Sequence, residues 1–257
     1  MVPYLQMVTP YLLYLLLLIF LVSSPVVLVE TVSEDDVRCL RGIKHSLKDP
    51  QSNLAEWIFS NSSDGGYICG FEGVSCWDNS ENRLLLGLRL RRLGLSGSFP
   101  QSLKYCGSLQ NLDLSGNDLY GFIPDICSWM PYLLNIDLSD NMFYGPIPPD
   151  LANCSYLNNL SLANNSLSGN IPYQFTSLQR LKEFSVADND LNGSIPFELN
   201  KYGKGAFQGN SGLCGGPLGK CGGLSEKSLT IIIAAAGFGA GFSLLLSFGL
   251  WWRCFAK

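Results

Sequence analysis

The sequence predicts an α/β solenoid: a stack of short coils with a cap at each end, followed by one apolar helix. Three observations carry this. One frame recurs five times at a constant spacing of 24 residues, starting at Leu85, Leu109, Leu133, Leu157 and Leu181. Closely spaced cysteines stand on either side of the repeats, Cys69 and Cys76 before them, Cys214 and Cys221 after. Leu229 to Trp252 is an uncharged apolar stretch of 24 residues.

Each copy places apolar residues at offset 3 (Leu88, Leu112, Ile136, Leu160, Phe184) and offset 5 (Leu90, Leu114, Leu138, Leu162, Val186). Offset 8 is Leu93 in the first copy and then Asn117, Asn141, Asn165 and Asn189. This is the frame of the leucine-rich repeat, L-x-x-L-x-L-x-x-N-x-L. One coil cannot bury its own leucines, so coils stack into a continuous apolar column. The alternating segment reads as a half-buried strand, and the strands as a parallel sheet on the concave face. The Asn at offset 8 turns the chain inward. Its amide is expected to satisfy backbone groups of neighbouring coils, a structural role. Each copy ends in Leu/Phe-x-Gly-x-Ile/Phe-Pro, which resembles the plant-specific class of these repeats and implies a second short sheet.

From the N-terminus, Leu12 to Val22 is too short to span a bilayer and suits a signal-peptide core, assigned to 1–30. Ser33 with Asp36 has capping-box spacing, and Val37, Leu40, Ile43 and Leu47 follow at helical intervals. Asp49-Pro50 is expected to end that helix. The N-terminal cap covers 34–84, with Leu54 and Trp57 packing over the first coil. In a secreted chain, Cys69 and Cys76 read as a disulfide. Two thiols without a nearby histidine make a poor zinc site. His45, the single histidine, sits in a polar helical stretch and reads as surface. The repeats cover 85–204, and the C-terminal cap and juxtamembrane segment 205–228. The stretch 229–252 is long enough to span a membrane once. Trp251 and Trp252 stand at the interface, and a stub of 253–257 lies on the inner side. No kinase domain is expected after it. Cys106 and Cys154, both at offset 21, read most simply as buried apolar residues. Cys106 and Cys127 lie in adjacent coils, and a bond between them is open; so is the pairing of Cys39.

The net charge of −4 argues against a nucleic-acid surface. No nucleophile–base pair, metal cluster or catalytic carboxylate pair emerges, so neither enzyme activity nor a cofactor or metal is expected. Candidate binding residues lie on the concave strands: Arg89, Asp113, Asn135, Asp137, Asn159, Ser161, Glu183 and Ser185, with Arg91 extending a basic end. Tyr120, Phe122 and Tyr144, on the lateral segment, are weaker candidates. Five glycosylation sequons begin at Asn61, Asn153, Asn159, Asn164 and Asn192.

Several stretches carry a closer resemblance. They are Asp36-Val-Arg-Cys39-Leu40, Ile68-Cys69-Gly-Phe-Glu-Gly-Val-Ser-Cys76-Trp77, Ser211-Gly-Leu-Cys214-Gly-Gly-Pro-Leu-Gly-Lys-Cys221 and Ser228-Leu-Thr-Ile-Ile-Ile-Ala-Ala-Ala236. Together with the repeats they resemble the BIR group of plant receptor-like pseudokinases. The resemblance implies a Cys214–Cys221 disulfide sealing the column. It also implies an ectodomain that docks on a somatic-embryogenesis-receptor-kinase co-receptor and restrains immune and growth signalling from the plasma membrane. The rival expectation is a ligand-sensing receptor-like protein that recruits a kinase in trans.

Overall fold

The computed structural model describes residues 34–59, 65–78 and 83–221; the expected signal peptide, transmembrane helix and stub lie outside these residues. No helix among the described residues is long and apolar enough to cross a membrane.

Helix α1 (Glu34–Ser46) turns Cys39, Leu40 and Ile43 inward and leaves His45 exposed. It ends before the expected Asp49-Pro50 because the chain is captured by the second sheet. Lys48 and Ser96 exchange both backbone hydrogen bonds, at 2.8 and 3.0 Å. Asp49 instead holds the next turn, accepting the amides of Asn53 and Leu54 at 3.0 and 2.7 Å. Asp36 faces the core, not the helix terminus. Its carboxylate accepts the Leu85 amide at 3.3 Å, anchoring the cap to the first coil. Trp57 stacks on Phe71 with centroids 5.5 Å apart and donates its indole N–H to the Glu72 carbonyl.

The strands follow in chain order as β1 (Val74–Asp78), β2 (Arg83–Arg89), β3 (Ser96–Ser98), β4 (Asn111–Asp113), β5 (Asp118–Gly121) and β6 (Asn135–Asp137). Then come β7 (Met142–Pro146), β8 (Asn159–Ser161), β9 (Ser166–Gly169), β10 (Glu183–Ser185), β11 (Asp190–Ser194) and β12 (Gly212–Cys214). They form two sheets, ordered β1-β2-β4-β6-β8-β10 on the concave face and β12-β11-β9-β7-β5-β3 beside it. The first is parallel except for β1, which closes its edge antiparallel to β2. The coils stack without slip: Asn111 pairs Asn135, which pairs Asn159, which pairs Glu183. Register is fixed because a one-residue shift would turn every inward leucine out to water. Leu88, Leu112, Ile136, Leu160 and Phe184 are all buried, each aliphatic member stabilising the column by roughly 1.5–3 kcal/mol.

The asparagine column does what its position requires. Asn141 accepts the Leu119 amide at 3.0 Å and donates to the carbonyls of Leu114, Leu138 and Ser139. Asn117, Asn165 and Asn189 repeat the pattern. The column gains a rung in the C-terminal cap: buried Asn210 accepts from Leu191 and donates to Val186 and Phe207. With β12 extending the second sheet, the cap is a shortened sixth coil.

Four disulfides are present among the described residues. Cys69–Cys76 and Cys214–Cys221 close the caps. The reading of Cys106 and Cys154 as unpaired apolar residues is overturned. Cys106 bonds Cys39 of α1, and Cys127 bonds Cys154 of the next coil rather than Cys106. The reason is spatial: α1 packs on the turn 101–105, placing Cys39 beside Cys106 with Cα atoms 5.7 Å apart.

Candidate functional site

Each coil leaves the convex side, enters the concave strand, turns at the asparagine, and exits through the second sheet. The solenoid therefore has two flanks, an entry edge and an exit edge, with the concave face between them.

The concave face is an open trough of about 1010 Å³ lined by Arg89, Arg91, Asp113, Asn135, Asp137, Asn159, Ser161, Glu183 and Ser185, as the strand alternation predicts. Its polar groups are partly engaged with one another. Asn135 donates its amide to the Asn111 side chain. Asp113 and Asp137 each close a local turn, accepting the amide and hydroxyl of Ser115 and Ser139, with hydroxyl contacts of 2.6 Å. Arg89, largely exposed, stands 4.0 Å from Asp113. The face is thus basic at the N-terminal end and acidic in the middle, with its acids held in place rather than free to reorient.

The entry flank carries a feature that the sequence reading passed over. The residue before each buried start leucine must face outward, and in the five coils it is Leu84, Ser108, Tyr132, Tyr156 and Arg180. Tyr132 is 54% exposed and Tyr156 42%. Their ring centroids lie 6.2 Å apart, and the Arg180 guanidinium caps the row 5.3 Å from the Tyr156 ring. Ring contact of this kind restrains large side chains in the open, so less rotamer freedom is left to lose on binding. Exposed Lys182 follows Arg180, making the C-terminal part of this flank basic. The signal was present as a period of 24 at one offset, but its meaning depends on knowing where the chain crosses the edge.

On the exit flank stand Tyr120, Phe122 and Tyr144, the weaker candidates named from their lateral position, together with Met142; all four are exposed. Phe122 and Tyr144 meet edge to face at 4.9 Å. Gly145 makes this possible: it has φ +83°, and a Cβ there would stand 2.4 Å from the Phe122 ring. Exposed Asp118, Asp140, Asp188 and Asp190 make this flank acidic.

Of the sequons, Asn153, Asn164 and Asn192 are exposed, Asn159 is half-buried within β8, and Asn61 lies outside the described residues. Asn153 and Asn164 donate to Asp150 and Asp140, at 2.9 and 2.8 Å. Among the described residues, no group of three or more metal-ligating side chains is assembled. Among the described residues, the one strongly displaced carboxyl is that of Asp36, 2% exposed, pushed up to about 6 by burial, eased by the Leu85 amide and reinforced by Asp35.

Comparison with known proteins bears on this arrangement. Residues 33–77 match the leucine rich repeat N-terminal domain, and 108–130, 132–154 and 156–178 match the Leucine Rich Repeat. The inactive LRR receptor-like serine/threonine-protein kinase BIR2 of Arabidopsis thaliana is 61% identical over 87% of this chain and 37% of its own length. The chain thus spans a little over a third of the curated relatives it matches. The crystal structure of the BIR2 ectodomain is similar with a TM-score of 0.69 and 54% identity, covering 72% of this chain and 97% of that one. A chain in the crystal structure of the BIR3–SERK2 complex, also from Arabidopsis thaliana, gives 0.69 and 53%, covering 73% and 100%.

Proposed function

The chain belongs to the BIR group of plant leucine-rich-repeat receptor-like proteins, and from that premise we propose that its solenoid docks on a co-receptor ectodomain of the somatic-embryogenesis-receptor-kinase type. The observation that carries this is the 53% identity to a chain crystallised as part of the BIR3–SERK2 complex, over all of that chain. The geometry supplies the means. The Tyr132–Tyr156–Arg180 row is the energetic anchor, since tyrosine and arginine dominate protein interfaces. The adjoining concave face sets register through its charge polarity: Arg89 and Arg91 at one end, Asp113 and Asp137 in the middle, and Asn135, Asn159, Ser161, Glu183 and Ser185 toward the other end. A glycan on Asn159 would stand in this face and is incompatible with docking. Asn153, Asn164 and Asn192 do not line this trough and, with Asn61, are the proposed carriers.

In the cell, 229–252 anchors the chain in the plasma membrane with the solenoid outside. Occupying the co-receptor keeps it from ligand-bound receptors and so restrains immune and growth signalling. No catalysis is involved in this action.

The test is a calorimetric titration of residues 34–224 against a co-receptor ectodomain with no third molecule present. Saturable one-to-one binding is expected. No heat at high micromolar concentration, from a folded sample, overturns the reading. Binding only after addition of a peptide or steroid transfers support to the ligand-sensing alternative.

A further inference from the structure

The exit flank changes character between the third and fourth coils. Through the third coil it presents Tyr120, Phe122, Met142 and Tyr144, all exposed. One coil on, the places of Met142 and Tyr144 are taken by Ser166 and Ser168, so the surface steps down from β7 to β9. Tyr144 stands at the edge of this step, paired with Ser166 across the sheet and meeting Phe122 edge to face. The sequon Asn164-Asn165-Ser166 lies on the low side. Asn164 is exposed, and its side-chain amide donates across the step to Asp140 Oδ1 at 2.8 Å. The atom to which a glycan attaches is thereby turned toward the coil that carries Met142 and Tyr144.

We propose that the first sugars of an Asn164 glycan lie over Ser166 and Ser168 against Met142 and the Tyr144 ring, so that the chain covers its own exit flank with carbohydrate. This rests on the assignment of Asn164 as a carrier made above. Attachment joins Nδ2 to C1 of the first sugar, and the lipid-linked pyrophosphate that brought the sugar departs with the displaced proton. Nδ2 keeps its second hydrogen, which can still donate to Asp140. The occupant follows from the surface. A pyranose offers a face of C–H bonds to the negative face of an aromatic ring. Its hydroxyls can donate to the exposed acids Asp118 and Asp140 without bringing a charge of their own. Rooted one strand away, the sugars reach the ring without the loss of translational freedom that a separate partner incurs. An exposed apolar cluster marks a contact surface, and here the contact is internal. The exit flank is closed to protein partners, and the Tyr132–Tyr156–Arg180 row is left bare for the co-receptor.

The BIR2 ectodomain, which matches 72% of this chain, crystallised by itself, so residues 34–224 are the part to test. Secreted from a eukaryotic host, the parent protein is compared with Ser166→Ala, which removes the sequon and leaves Asn164 and its bond to Asp140 in place. Glycopeptide mass spectrometry is expected to find sugar on Asn164 of the parent. In hydroxyl-radical labelling, Met142 and Tyr144 are expected to react severalfold faster in Ser166→Ala, while Tyr132 and Tyr156 react alike in both proteins. Ser166→Thr, which keeps the sequon, is expected to label like the parent. Loss of the glycan should lower the melting temperature by about 2–4 °C. The same loss should cost less than about 1 °C when Met142 and Tyr144 are already alanine. An Asn164 without sugar overturns the proposal together with the glycan assignment beneath it. A glycosylated Asn164 with unchanged labelling of Met142 and Tyr144, or with the same melting loss in the alanine background, overturns the packing alone.

Discussion

The buried asparagine column and the exposed tyrosine row are written with the same 24-residue period, yet they behave in opposite ways. In the column the residue type barely changes from coil to coil, and every rung makes the same bonds to backbone on both sides. In the row the backbone position is constant but the residue changes, from Ser108 through two tyrosines to Arg180. A recurring position filled by one residue type marks a requirement of the coil itself. A recurring position filled differently marks a surface that the coil merely displays. The first should govern stability and the second recognition, and each can be tested against the other.

The largest stability effect is expected where the column is broken or the cap is unlinked. Removing the Cys39–Cys106 bond by replacing both with serine frees a 67-residue loop, at a cost of about 4 kcal/mol in chemical denaturation. Asn141→Ala leaves the Leu119 amide and up to three carbonyls without their partner, and should lower stability by about 3 kcal/mol. If Asn141→Ala were tolerated without change, the column would be decorative and the comparison would fail.

A pH effect of comparable or smaller size belongs to Asp36. Its folded-state carboxyl is raised from 3.8 to about 6, so the folded protein holds the proton more tightly than the unfolded chain. Its contribution is complete below 3.8 and is lost as pH rises through about 6. The N-terminal cap should therefore melt higher at pH 5 than at pH 7, with an upper bound of about 3 kcal/mol between the two extremes. Asp36→Asn should flatten that slope, read from melting curves across the range. An unchanged slope would mean that another group governs it.

The smallest stability effect is expected from the row. Tyr132→Ala should move the folding free energy by about 0.5 kcal/mol or less, because its ring is half in water and meets the exposed Tyr156 ring rather than the core.

What was legible in the sequence follows the same division. The leucine frame and the asparagine turns could be read directly, since each is local and recurs in five copies and four copies respectively, and the second sheet followed from the resemblance of the Leu/Phe-x-Gly-x-Ile/Phe-Pro segment to plant-specific repeats. Pairing of Cys39 with Cys106 could not, because it depends on how α1 lies across the first coil. The fifth rung at Asn210 was hidden because the spacing from Asn189 shrinks to 21 as the cap shortens the coil. Asp36 looked like a cap because only the packed first coil reveals that its target is the Leu85 amide. The concave residues were placed correctly on strands, yet the use of Asp113 and Asp137 in local turns was not visible from alternation. The tyrosine row was missed because its residues neither match in type nor belong to the repeat frame.

The most direct measurement is the affinity of a co-receptor ectodomain for residues 34–224 beside that of the Tyr156→Ala, Arg180→Ala double variant, with melting temperatures of both. The account predicts one-to-one binding by the parent protein and a loss of at least about thirtyfold in the variant, equivalent to about 2 kcal/mol, at an unchanged melting temperature. Equal affinity in the two proteins would contradict it and place the docking surface elsewhere on the solenoid.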